Sequence, residues 1–256
     1  MIQNSVRGVF LLLIAANFRA SASEQNQAES TTSSPSLSQQ QASLSWLSEA
    51  GKAYVLKAVL PPPASGSDKD KADVQAVLKA QGLRTADVVD EALADQKFSS
   101  SLMARVISSD FTPEKYPITF KLLNRVLADQ SFLNAKLKAQ YKRPRPYQDH
   151  PEVKALFKAD QYSYPSEHAS ASRILVLVLT ILFPDKSMAL LNRDEIIAQS
   201  RVNAGVNHPS DVIGGRALAH ALIFVIQDDP VFQHDLTDAK NEIAAKIKPD
   251  TASNAK

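Results

Sequence analysis

Along the chain after Ser43, apolar residues recur at three- and four-residue spacing between short polar breaks, which is the period of amphipathic helices. Ser67 and Asp70 form a cap before Val74, Val77 and Leu78, and Gly82 closes that segment. Thr112-Pro113-Glu114 has the cap-then-proline form of a helix start and leads into Ile118, Leu122 and Val126. Asp229-Pro230 repeats the form before Leu236, Ala239 and Ile243. The most apolar stretches are Ile174–Phe183 and Ala217–Ile226. At about ten residues each they fall short of the roughly 30 Å of hydrocarbon a spanning helix must cross, so they predict buried core helices and no integral membrane association. No Asn-Gly or Asp-Gly turn joins two alternating runs, and strand signals are scarce. The pattern predicts an all-α protein, a packed helical bundle.

The two ends read differently. Residues 1–22 carry Arg7, an apolar run from Val9 to Ala16 and then Ala20-Ser21-Ala22, the layout of a cleaved export signal. Residues 23–43 are polar and rich in Ser and Gln, with too little apolar area to offset chain entropy, so they predict a disordered linker. The folded domain is expected over residues 44–250, with a disordered tail at 251–256, and the mature protein is expected to be periplasmic or secreted. Pro61-Pro62-Pro63-Ala64-Ser65-Gly66 is an extended break that no helix crosses.

Composition narrows the functional classes. The 256 residues are 44% hydrophobic and 22% charged, which suits one globular domain. The formal charge of +2 comes from Arg7 and Arg19, since the remainder holds 27 basic and 27 acidic residues. That balance excludes the broad basic footprint of a nucleic-acid binder. Cysteine is absent, which removes disulfides, thiolate metal sites and a cysteine nucleophile.

Three ordered blocks carry candidate chemistry. The first runs from Lys136 to Tyr147 and packs five cations into Lys136–Arg145. A charge run alone is most often a solvated helix face. Here, however, the Arg143-Pro144-Arg145-Pro146 ending fixes the backbone and aims guanidinium forks suited to phosphate. The second, Ser163-Tyr164-Pro165-Ser166-Glu167-His168-Ala169-Ser170, opens an apolar helix whose N-terminus favours anions. Ser166 would add a hydroxyl there, and His168 sits one turn in, placed to donate a proton. The bland alternative is a capping serine and an ordinary histidine. The third, Ser200 to Asp211, combines Arg201, His208 and Asp211, a cation with a base and its orienter. Its bland alternative is a loop with Asp211 serving the helix dipole.

Together the blocks resemble the bacterial class A non-specific acid phosphatases of the type-2 phosphatidic acid phosphatase superfamily, which also holds vanadium haloperoxidases. The family signature is Lys-x6-Arg-Pro, Pro-Ser-Gly-His and Ser-Arg-x5-His-x3-Asp. The likeness covers roughly residues 44–247 and includes Leu60-Pro61-Pro62-Pro63 and Asp229-Pro230-Val231-Phe232-Gln233. It implies the family's compact α-helical bundle, a small-molecule phosphomonoester substrate, and no cofactor or metal. Two registers fit the first block, Lys136 with Arg143 and Lys138 with Arg145. The second is preferred because Tyr141, Arg143 and Tyr147 then fall on family positions. By resemblance Lys138, Arg145, Ser166 and Arg201 bind phosphoryl oxygens, with the backbone N–H of residue 167, while His168 protonates the leaving group.

The chain departs from the family twice. Glu167 stands where the family has Gly, and a carboxylate about 4 Å from a phosphate charge costs on the order of 4 kcal/mol at an effective dielectric near 20. Asn207 stands at the nucleophile position, and the histidine is one place later, at His208. One residue is about 100° of helical rotation, so His208 would need a local bulge to reach the same point. A working but shifted His208 oriented by Asp211, a slower site using another group, and a phosphate-binding protein without turnover all stay open. A haloperoxidase is disfavoured because its vanadate ligand belongs at the same lost position.

Overall fold

A computed structural model describes residues 45–159 and 162–246. The expected export signal at 1–22, the linker at 23–43 and the tail at 251–256 lie outside the described residues. Within them the chain forms ten α-helices, one short 3-10 turn and no strand. The helices are α1 (Glu49–Ala58), α2 (Asp68–Gly82), α3 (Ala86–Ala94), α4 (Ser100–Ile107) and α5 (Pro117–Tyr141). They continue with α6 (Pro146–Asp149), α7 (Glu167–Leu182), α8 (Ser187–Asn203), α9 (Pro209–Ile226) and α10 (Pro230–Lys246).

The centre of the bundle is α7, which packs against α9, α8 and α5. Its apolar half supplies Ile174, Leu175, Val178 and Leu179, all fully buried in the main core with Leu133 and Leu137 of α5 and Leu218 and Leu222 of α9. Its first half is small and polar and is satisfied by its neighbours. Gln130 Nε2 of α5 donates to Ser170 Oγ at 2.6 Å, and Ser172 Oγ donates to Asp194 of α8 at 2.6 Å. The small residues let α9 approach closely. A Cβ on Gly215 would lie 2.4 Å from the Ser166 carbonyl oxygen, and one on Gly214 2.5 Å from the Tyr164 ring.

The predicted caps at Ser67 and Asp229 form as expected. Ser67 Oγ accepts from Asp70 N, and Asp229 Oδ1 accepts from Val231 N and Phe232 N. The start expected at Thr112 is corrected: Thr112–Tyr116 is a turn, and the helix begins at Pro117. Pro117 disfavours helical dihedrals at Tyr116, which takes φ −128° and ψ 57°. The orphan amides of the first turn are met from α10, where the Glu242 carboxylate accepts from Ile118 N at 3.0 Å and Thr119 N at 2.8 Å. A second correction concerns α9. The ten-residue apolar stretch belongs to an 18-residue helix that is long and apolar enough to cross a membrane, with 50% of that window buried inside the protein.

Substituting Gly215→Ala should destabilise the fold by about 1–3 kcal/mol, because the added methyl meets backbone that cannot swing away. Gly82→Ala, which meets nothing within 4 Å, should stay within about 0.5 kcal/mol of the parent. Urea unfolding of the two variants side by side checks the contrast.

Candidate active site

The three blocks meet at the ends of four helices. Lys142, in the left-handed conformation at φ 48°, ends α5, and Arg143–Arg145 leaves it in extended form. The segment is tied down by Ser163, whose N–H donates to the Arg143 carbonyl at 2.8 Å and whose hydroxyl donates to the Pro144 carbonyl at 2.8 Å. Between α8 and α9 the chain turns through Gly205 at φ 73°, where Val153 and Ala155 crowd the missing Cβ. Val206 N and Asn207 N both donate to the Arg201 carbonyl across this turn. The turn sets which way residues 207 and 208 face.

A cavity of about 380 Å³ opens where these pieces converge. Lys138, Arg145, Glu167, His168, Arg201 and Asn207 line it, with Lys97, Lys158 and Phe157 around them. Lys138, Arg145 and Arg201 are each no more than 6% exposed. The preferred register of the first block is thus the one that reaches the cavity. Lys136 is exposed beside the Phe132 ring, and Arg143 is buried elsewhere, donating to Asp70, Asp73 and Asp211 at 2.8–2.9 Å.

Five of these lining side chains are cationic and one is a carboxylate, and the crowding shows in their protonation. Burial, then the Arg145 charge, pushes Lys138 down to about 8, partly offset by Glu167 and Asp211. Burial and Arg145 likewise lower Arg201 to about 10. Burial first and Arg201 second push His168 down to about 3, so it is neutral in mild acid. The His168 ring edge is held by two carbonyls: Nε2 lies 3.0 Å from the Asp95 oxygen and 3.2 Å from that of Gln96. Arg201 Nη1 donates to the same Asp95 carbonyl at 3.3 Å.

Two expected binding residues sit differently. Ser166 is fully buried behind the wall rather than on it. Its oxygen caps α7 by accepting from Ala169 N, and its hydroxyl lies 3.5 Å from Asn207 Oδ1. Glu167 does line the cavity, at an exposed position and without an ion-pair partner among the described residues, so its carboxylate opposes an anion there.

Asn207 occupies the cavity wall, and its amide nitrogen donates to the Ser163 carbonyl at 2.7 Å and to Asp211 Oδ2 at 3.3 Å. His208 does pair with Asp211, Nδ1 to Oδ2 at 3.2 Å. His208, however, lines a neighbouring cavity of about 580 Å³, with Tyr141, Arg143 and His150, and not the one lined by Lys138 and Arg201. The expectation of His208 as a displaced nucleophile beside Lys138 and Arg201 is therefore corrected: no bulge brings it round, because the His208 N–H is spent on Asp211 Oδ2 at 2.7 Å as the N-cap of α9. Asp211 is fully buried. Burial would raise its carboxyl, but the His208 hydrogen bond and charge and Arg143 outweigh that and hold it below the usual carboxylate range.

Sequence reasoning missed the Asp95–Gln96 carbonyls, the Phe157 ring 5.1 Å from the Arg201 guanidinium, and the carboxylates that claim Arg143. Backbone carbonyls leave no residue-type signal. In the sequence Asp70 reads only as part of the cap of α2, and Asp73 carries no signal of its own.

Residues 120–231 match the PAP2 superfamily. The chain is similar to the non-specific acid phosphatase of Salmonella typhi, 29% identical over 197 residues, covering 73% of this chain and 78% of that one. It is similar to the non-specific acid phosphatase of Providencia stuartii at 29% over 198 residues, covering 73% and 79%. Among solved structures, the transmembrane PAP2 type phosphatidylglycerolphosphate phosphatase from Bacillus subtilis matches with a TM-score of 0.48 and 18% identity, covering 73% of this chain and 94% of that one.

A bound dianion favours the protonated form of Lys138, which the free protein gives up near pH 8. Affinity for sulfate, whose charge is constant over this range, should therefore fall as pH rises through about 8. Lys138→Met should weaken binding at pH 7 and flatten that decline, as read by calorimetry from pH 6 to pH 9.5.

Proposed function

We propose that this chain, whose residues 120–231 match the PAP2 superfamily, is an acid phosphatase of that superfamily and that its cationic cavity takes the phosphoryl group of a small phosphomonoester. The observation that carries this reading is the convergence of Lys138, Arg145 and Arg201, all buried, on one cavity. Buried like charges on one cavity wall repel one another, and an anion held between them relieves that repulsion. Held there, a phosphoryl group has its equatorial oxygens neutralised before reaction, which is the main source of rate in such transfers. His168 is the imidazole on the cavity wall and the group placed to move a proton. The role of phosphohistidine nucleophile is not given to His208, which lines the other cavity. Export to the periplasm or medium is part of the reading, supported by Arg7, the apolar run Val9–Ala16 and Ala20-Ser21-Ala22.

One observation favours a second reading, a phosphate-binding protein without turnover: the wall position nearest Asp211 holds the Asn207 amide, which forms no phosphoryl ester.

Assaying the purified protein on an aryl phosphate between pH 4 and pH 8, beside calorimetry with phosphate and vanadate, separates the two. The phosphatase reading expects turnover above background and binding of both oxyanions. Binding without turnover, with turnover appearing only in Asn207→His, would establish the second reading instead. Absence of both would sink the first and the second together.

A further inference from the structure

Arg84, in the link between α2 and α3, is among the lining residues of neither cavity, yet it grips two segments that build them. Its Nε donates to the Asn203 carbonyl at 2.6 Å, and its Nη1 donates to the Lys154 carbonyl at 2.7 Å. Asn203 closes α8, at the start of the turn through Gly205. Lys154 lies in the loop at 152–157, and its own N–H is held by Gln81 of α2, whose Oε1 accepts it at 2.5 Å. The turn and the loop also meet directly, Leu156 N donating to the Ala204 carbonyl at 2.9 Å. Arg84 Nη2 lies 3.3 Å from where a Cβ on Gly205 would stand, so the guanidinium is seated against the turn itself.

Each gripped segment runs on into a wall of the cationic cavity. Three residues beyond Asn203, the Val206 carbonyl accepts from Arg145 Nη1 at 2.7 Å, and Asn207 follows it on the wall. Three residues beyond Lys154, the Phe157 ring stands 5.1 Å from the Arg201 guanidinium. Val206, Ala204 and Phe157 belong to one small apolar cluster, so a shift of either segment is passed to the other. The carbonyl that orients Arg145 and the ring that faces Arg201 thus hang from two stretches of backbone, with Arg84 between them. A guanidinium suits that place because its donors leave a rigid plane in fixed directions and can reach two carbonyls at once.

We propose that Arg84 is a positioning residue for the oxyanion site: its fork sets the separation of the 203–206 turn and the 152–157 loop, and through them the aim of Arg145 and Arg201. The inference rests on the part of the reading above that puts an oxyanion in this cavity. Arg84 never touches the ligand. Its effect is geometric, and a misplacement of about 1 Å from a change far from the chemistry can cost on the order of 100-fold in rate.

Calorimetry with vanadate on the full chain reads affinity and the number of sites separately. Arg84→Met keeps the reach of the side chain and removes both hydrogen bonds. Its vanadate affinity should fall about 10-fold, while the number of sites per chain stays that of the parent. Lost stability alone would do the opposite, removing sites and leaving the affinity of the rest unchanged. Arg84→Lys keeps the charge but replaces the fork by a single point, so it should also bind several-fold more weakly than the parent. On an aryl phosphate, Arg84→Met should show a raised KM as well as a lower kcat. Parental affinity in Arg84→Met, with or without fewer sites, would overturn the proposal. Arg84→Lys matching the parent would overturn it too, since charge alone would then suffice. Vanadate binding by the parent without turnover would defeat the phosphatase reading and leave Arg84 to be judged by the affinities. No vanadate binding by the parent would defeat both.

Discussion

Asp211 is fully buried, and its two carboxylate oxygens are divided among parts of the chain far apart in sequence. One oxygen takes Arg143 at 2.8 Å. The other takes the His208 backbone N–H, the His208 imidazole and the Asn207 amide. Its own carbonyl accepts from Ser166 N at 2.9 Å. This one residue therefore joins the extended Arg-Pro-Arg-Pro segment, the start of α7 and the start of α9. A buried carboxylate is tolerated only when such partners are complete, and losing one of them typically costs about 3–5 kcal/mol. The network thus dictates that Arg143 turns away from the cationic cavity and that His208 stays at the cap of its helix.

The cationic cavity is the reverse case. Lys138, Arg145 and Arg201 are buried, and backbone carbonyls orient all three. Lys138 donates to the Tyr162 carbonyl, Arg145 to that of Val206 at 2.7 Å, and Arg201 to that of Asp95 at 3.3 Å. Carbonyls orient a cation without cancelling its charge, so the field stays available to a ligand. The lowered proton affinities of Lys138 and Arg201 express their burial first and the Arg145 charge second. Two arginines separated by a single proline thus take opposite fates. Arg143 is neutralised by acids and serves the fold, and Arg145 is steered by a carbonyl and serves the site.

The helical class was legible because it depends on local periodicity, and the caps at Ser67 and Asp229 because capping is a contact across three residues. The helix start at Thr112 was misplaced because Glu242, which meets the first amides of α5, lies 123 residues away from Thr119. The length of α9 was under-read because its first turns are small and polar, and their burial against α7 depends on Gly214 and Gly215 fitting the Ser166 and Tyr164 backbone and ring. For the site, the residue types and order of the three blocks were enough to find the cations; the spacing left two registers open, and the resemblance preferred that of Lys138 with Arg145. Ser166 was read as a ligand because its hydroxyl sits at a helix N-terminus, but depth behind Asn207 is not a local property.

By itself the sequence determined an all-α chain with a phosphate-type cation set and an asparagine in place of a histidine at position 207. These follow from residue identity and near-neighbour spacing. Only the tertiary structure decided which side of the 207–208 pair faces the cations, which arginine three carboxylates claim, and which edge of His168 two backbone carbonyls hold. Each of those turns on a partner brought from a distant element: Asp211 against Arg143, the Gly205 turn against Val153, and the Asp95 carbonyl against the His168 ring. The direction of a side chain is set by packing and hydrogen bonds across the bundle, and no local pattern encodes it.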